Sequence, residues 1–225
     1  GTQQSGSTIE KSIEGMATAL ATAGIVDKIK DIAVVVYDLA DSFSEAEKTI
    51  IAQTGATGQE LDKLMDSSLD VFASSSAESL NDVAASMTTV QTATGLAGES
   101  LEGATEAALT LENALGFEVS ESTRTASALM KNFGLEAEEA YNIIAAGAQQ
   151  GANQNGDLLD VLNEYSAQYA ALGLSADEFI SSLVDGADAG VFSVDKVGDA
   201  VKEFNIRVKD GSDTTAEAFE AIGMN

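Results

Sequence analysis

The sequence predicts an all-α protein of many short antiparallel helices, arranged as helical hairpins in a bundle or a solenoid-like array, and three observations carry that expectation. Apolar residues recur at a spacing near 3.6 in nearly every stretch, not at a spacing of 2. Proline is absent from all 225 residues, where average usage would give about 11, so the commonest helix breaker is missing. Glycines stand where one apolar stripe stops and the next begins. Aromatic residues make up 5% of a chain that is 44% apolar, and Trp is missing. The core is therefore expected to be aliphatic, between closely packed helices.

In chain order, Ile25, Ile29, Ile32, Val36 and Leu39 make the longest amphipathic run, although Val34, Val35 and Val36 also suit a strand. Leu61, Leu64, Met65, Leu69 and Phe72 form the next stripe, and Leu80, Val83, Ala84, Met87 and Val90 the one after. Four more follow: Leu101, Ala104, Ala108, Leu111 and Leu115; Ala126, Leu129, Met130 and Phe133; Ala140, Ile143, Ile144 and Gly147; Leu158, Leu162, Tyr165, Tyr169 and Leu172. Three shorter ones centre on Phe179, Ile180, Leu183 and Val184, on Val194, Val197, Val201 and Phe204, and on Phe219 and Ile222. At least eight helices and no sheet are expected, with FNIRV at 204–208 the place where a short strand would intrude.

Aligning the helix ends exposes a weak repeat: TGATGQEL at Thr54, TGLAGESL at Thr94, LGFEVSES at Leu115, FGLEAEEA at Phe133 and LGLSADEF at Leu172. Each pairs a glycine suited to a left-handed helix terminus with acids in the following first turn. The long gaps between these glycines hold loops of their own at Ser74, Ser75 and Ser76 and at 153–156. Shared capping chemistry and true duplication both explain the pattern. Links this short make successive helices antiparallel neighbours, in compact hairpins and not one stretched rod.

Charge narrows the function classes. Eleven basic residues against 37 acidic give −26, which repels nucleic acid phosphates and anionic membrane surfaces, so direct nucleic acid binding is not expected. Between Leu64 and Val194 the only bases are Arg124 and Lys131, while Glu99, Glu102, Glu106, Glu136, Glu138 and Glu139 recur. That middle reads either as a solvated face or as a surface matched to a basic partner. The longest strongly apolar run, at 32–37, is too short to cross a bilayer, so no transmembrane segment is expected. The start, GTQQSGST, has neither an initiator Met nor a basic signal region, which suggests a fragment.

The chain holds no Cys and no His, so Ser-His and Cys-His catalysis are excluded, and neither a nucleophile elbow nor a phosphate-binding glycine loop occurs. Carboxylate pairs are abundant, but no aromatic-rich sugar cleft accompanies them. The segment KDGSDTTAEAFE at 209–220 places Asp210, Asp213 and Glu217 in a loop-like order that lacks the D-x-[DN]-x-[DN]-G pattern. It reads as a turn with a helix cap at Asp213 or Thr214, without specific calcium binding. No enzyme, no cofactor and no catalytic, cofactor-binding or metal-binding residue is assigned.

From about residue 43 onward the order of motifs resembles the core region of tail tape measure proteins of long-tailed phages and phage-like elements of Gram-positive bacteria. AQTGATGQELDKL from Ala52, TGLAGESLEGATEAAL from Thr94 and VGDAVKEFNIRVKDGSDTTAEAFEAIGMN from Val197 carry the likeness. Departures are the serines at 74–76, near which such proteins often have Pro and an aromatic residue, and Ala167, where they often have Pro. The resemblance implies a structural segment of a longer helical virion protein in the phage tail lumen, setting tail length during assembly in the host cytoplasm. Its implied partners are tail tube and tail-tip or baseplate proteins and tail assembly chaperones. The implied division is a flexible segment at 1–8, a long amphipathic helical region at 9–54 and the tape measure core at 55–225. A generic helical-repeat scaffold and a membrane-active helical effector are the alternatives.

Overall fold

A computed structural model describes residues 29–75, 77–210 and 213–221. Among these residues there are ten α-helices and no strand. They are α1 Ile29–Thr54, α2 Gln59–Ser74, α3 Leu80–Thr94, α4 Glu99–Leu115, α5 Val119–Phe133, α6 Ala137–Gln149, α7 Leu158–Ala171, α8 Ala176–Asp188, α9 Asp195–Lys209 and α10 Asp213–Ala221. Val34, Val35 and Val36 lie in α1, and FNIRV lies in α9, so both places that suited a strand are helical. The segment 1–8, Ile25 and Ile222 fall outside the described residues.

From α1 to α9, each helix packs against the helices one and two places away. The result is two rows, with α1, α3, α5, α7 and α9 in one and α2, α4, α6 and α8 in the other. Hydrogen bonds give the direction within a row. Arg124 and Asn132 of α5 reach Asp160 and Ser166 of α7 at 3.2 and 2.7 Å. Lys202 and Asn205 of α9 reach Glu164 and Gln168 of α7 at 3.2 and 2.7 Å. Residue number rises on both sides of each pair, so row neighbours run parallel, as a stack of antiparallel hairpins requires. The array lies between the two architectures that sequence leaves open and has the nearest-neighbour logic of a solenoid.

Thin helix surfaces make this packing possible. Ala46, Ala84, Ala108, Ala126 and Ala140 are fully buried among larger aliphatic residues such as Ile50, Leu80, Leu129, Ile144 and Leu162. At Gly198 of α9 an added Cβ would overlap the ring of Tyr165. Buried hydroxyls do not disturb this core, because Ser68 donates to the Leu64 carbonyl and Thr105 to the Leu101 carbonyl of their own helices, each at 2.7 Å.

The helix ends follow the aligned glycines. Gly55, Gly95, Gly116, Gly134 and Gly173 all have φ between 71° and 78°. The likeness between the first two goes further. Thr54 and Thr94 donate to the Ile50 and Val90 carbonyls, and their hydroxyls accept from the amides of Ala56 and Leu96. Gly58 and Gly98 then take φ 60° and 58° with ψ −132° and −144°, backbone that only glycine adopts without strain. The two turns thus repeat each other bond for bond, as shared capping chemistry and duplication both allow. The turns at Gly134 and Gly173 use capping boxes instead, Glu136 with Glu139 and Ser175 with Glu178.

One stripe needs correction. Val194 is buried and Val197 and Val201 pack against the core, but Phe204 is 57% exposed. The helical period is right; α9 has a neighbour in its own row on one side only, and Phe204 points away from it.

Candidate functional site

The two rows differ in charge. Every base after Lys63 lies in the odd row: Arg124 and Lys131 in α5, and Lys196, Lys202, Arg207 and Lys209 in α9. The even row carries acids on each helix, and its sole base is Lys63 of α2. Ion pairs follow this division. Arg124 to Asp160 and Lys202 to Glu164, both at 3.2 Å, tie α5 and α9 to α7, while Arg207 to Glu203 and Lys196 to Asp195 lie within α9. Among the described residues no ion pair joins helices of the even row. There, hydroxyls face carboxylates instead: Ser67 donates to Glu102 at 2.5 Å, and Ser74 to Glu106.

Crowding of like charge is clearest on α2, where Asp62, Asp66 and Asp70 lie one turn apart on one face. Partial burial raises the Asp66 pKa above its ordinary value of 3.8, and the charges of Asp62 and Asp70 raise it further. In the odd row, burial raises the Tyr165 pKa, and so do its hydrogen bond to Asp195 and the charges of Asp195, Glu164 and Asp199. Its hydroxyl thus stays a donor to Asp195 Oδ1 at 2.9 Å. Burial pushes Tyr141 up to about 12, partly offset by its hydrogen bond with Thr123.

Three surface grooves accompany these rows. One of about 440 Å³ between α6 and α8 is lined by Leu135, Ile143 and Val184, with Glu139 and Asp177 at its edge. One of about 260 Å³ lies by the ends of α2 and α4 and includes Ser74, Glu106 and Asn113. The third, about 240 Å³, lies between the loops before α7 and α9, where Asp157 Oδ2 accepts from Ser193 and Oδ1 is buried without a hydrogen bond. Their linings supply carboxylates, amides and hydroxyls, and no Lys or Arg.

Asp210 caps the C-terminus of α9 and Asp213 begins α10. Glu217 is exposed on that helix. Thr215 donates to the Arg207 carbonyl at 2.9 Å and to Asp210 Oδ1 at 3.1 Å, fastening the turn. Among the described residues no group of three or more carboxylates is placed to hold a metal ion. The structure thus presents an extended surface divided by charge. Sequence reading located the anionic middle but not that the bases after Lys63 all fall on alternate helices, a signal that charge summed helix by helix would have exposed.

Residues 72–225 match the family described as phage-related minor tail protein. The chain belongs to that family. Two curated relatives support the assignment. A probable tape measure protein of Streptomyces phage phiC31 is 30% identical over 121 residues, 53% of this chain and 17% of that protein. The tape measure protein of Pneumococcus phage Dp-1 is 26% identical over 186 residues, 81% of this chain and 16% of that protein. The chain thus spans about a sixth of the length of these relatives. No solved structure matches it. Among the described residues no helix is long and apolar enough to cross a membrane.

Proposed function

We propose that this chain is a non-enzymatic segment of a tape measure protein, acting in tail assembly and tail-length determination inside the tail tube. What supports the reading is the family match over 72–225 together with two relatives that bear the tape measure name. The whole protein would be assembled in the host bacterial cytoplasm and then occupy the tail lumen. It would meet tail tube and tail-tip or baseplate proteins, with assembly chaperones as transient partners. In this reading the long amphipathic region at 9–54 leads through α1 into the core region at 55–225.

The segment itself is packed and does not form an extended ruler. Two helices of a stacked row advance it by about 10 Å, the usual distance between packed helices. Residues in a continuous helix would advance about 1.5 Å each, or nearly 60 Å for the same stretch. In-frame deletion of α5 and α6 from the parent gene, with tail length measured by electron microscopy, tests both statements. Peptides of this chain are expected in purified tails, and shortening near the packed figure is expected. Absence from tails would overturn the tail reading, whereas shortening by the full helical length would overturn only the packed state.

A further inference from the structure

We propose that Asn155, in the turn between α6 and α7, is a site of self-modification, where the backbone nitrogen of Gly156 attacks the side-chain amide and leaves aspartate or isoaspartate. Of the chain's asparagines only Asn155 is followed by Gly. A larger residue would crowd the attacking nitrogen, and glycine does not. Asn81, Asn113, Asn132, Asn142, Asn163 and Asn205 lie within helices, where the following amide donates along the helix or, after Asn81, to the Ser79 hydroxyl at 3.1 Å. Asn153 shares the turn but is held, because its Oδ1 accepts from the Leu158 amide at 3.2 Å. Asn155 is exposed, and among the described residues its side chain has no hydrogen-bond partner. Gly156 is exposed too, with φ 74° and nothing within 4 Å of an added Cβ. Its amide donates to the Asn153 carbonyl at 3.1 Å, a single turn bond that local opening releases.

The step needs only water. Gly156 N bonds to Asn155 Cγ as its proton passes to solvent, the bond from Cγ to Nδ2 breaks, and ammonia leaves behind a cyclic imide. Water then opens the ring at Cγ, restoring the ordinary backbone as aspartate, or at the main-chain carbonyl carbon, routing the chain through the side chain as isoaspartate. The second product lengthens the backbone by one carbon between residues 155 and 156. Both bonds that shape the turn, from the Gly156 amide to the Asn153 carbonyl and from the Leu158 amide to Asn153 Oδ1, span that link. Isoaspartate therefore loosens the joint where the chain passes from α6 in the even row to α7 in the odd row. Either product also sets a new carboxylate in the groove that holds Asp157, whose Oδ1 is buried without a hydrogen bond. The chemistry is independent of the tail reading.

Peptide mapping tests it on the whole 225-residue chain, incubated folded at mildly alkaline pH, cleaved with a Glu-specific protease and read by mass spectrometry with electron-transfer fragmentation, which tells isoaspartate from aspartate. Conversion at position 155 is expected to outrun that at each helical asparagine by at least about 10-fold, because those react only after their helix opens. Equal rates, or conversion elsewhere while position 155 keeps its amide, would overturn the proposal. Hydrogen exchange reads the effect on the turn. The Leu158 amide should lose protection in the isoaspartate fraction and keep it in Asn155→Asp, which carries the new charge on an ordinary backbone. Protection unchanged in the isoaspartate fraction, or lost equally in the variant, would overturn the loosening of the joint.

Discussion

The odd and even rows have similar helix lengths and one shared core, yet they are held together differently. In the odd row, side chains cross from helix to helix: Thr125 donates to the Leu159 carbonyl, Asn132 to Ser166, and Arg124 and Lys202 pair with carboxylates of α7. These links set which residue faces which. The even row has acids on every helix and few such links, so its cohesion comes from apolar burial against the odd row and opposes its own charge. Register and charge are thus divided between two layers.

Removing what the rows share should erase the contrast and give the largest effect. Phe179 of α8 is fully buried, and its ring stacks on Tyr169 of α7 with centroids 3.9 Å apart. Phe179→Ala is expected to destabilise by about 3–5 kcal/mol in chemical denaturation. A loss below about 1 kcal/mol would mean that the seam between rows is not packed as described.

Next come two identical substitutions with opposite expected signs. Gly198→Ala, in the odd row, drives a methyl into the Tyr165 ring and should cost about 1–3 kcal/mol. Gly103 of α4, in the even row, has nothing within 4 Å of an added Cβ. Gly103→Ala should therefore stabilise by about 0.8–1 kcal/mol through helix propensity. Thermal melts of both variants decide the matter, and a shared sign would break the comparison.

The smallest effect concerns the even row's charge. Folding raises the Asp66 pKa above the ordinary 3.8, so the folded chain disfavours the ionised form. This group therefore adds stability as pH falls through the raised value, and at neutral pH its charge subtracts from stability. Asp66→Asn should raise stability at pH 7 by about 0.2–0.5 kcal/mol in low salt, as relief of like charges one turn apart. The part of the gain owed to Asp62 and Asp70 should fade at high ionic strength, the part owed to burial should remain, and both should vanish below the ordinary value. A gain wholly undiminished in 1 M salt would show that Asp62 and Asp70 contribute nothing.

Much of this fold was legible in the sequence. Leu80, Val83, Ala84, Met87 and Val90 are all buried as their spacing requires, and the five aligned glycines end helices. Row membership was not legible, because hydrophobic period tells which side of a helix is buried but not which helix covers it. Ser122, Thr123 and Thr125 were also missed as core residues, although each is fully buried. Their hydroxyls bond to helical carbonyls or to Tyr141, so burial leaves nothing unsatisfied, and a polar label conceals it. Phe204 failed for the opposite reason: its position in the stripe is apolar, but more than half of it stays exposed. Of the candidate site, the acids were visible and the placing of the bases in one row was not, since a row exists only once alternate helices are placed side by side.

Alternation makes length change in this protein a matter of parity. Because each helix touches mainly the helices one and two places away, excising a consecutive pair such as α4 and α5 joins α3 to α6 and leaves every later helix in its own layer. Excising α4 alone puts α5 where α4 stood, and all that follows changes sides. Arg124 and Lys131 would then enter the acidic layer, and the stripes beyond would face helices they were not shaped to meet. Insertions and deletions within this region should therefore be tolerated in even numbers of helices.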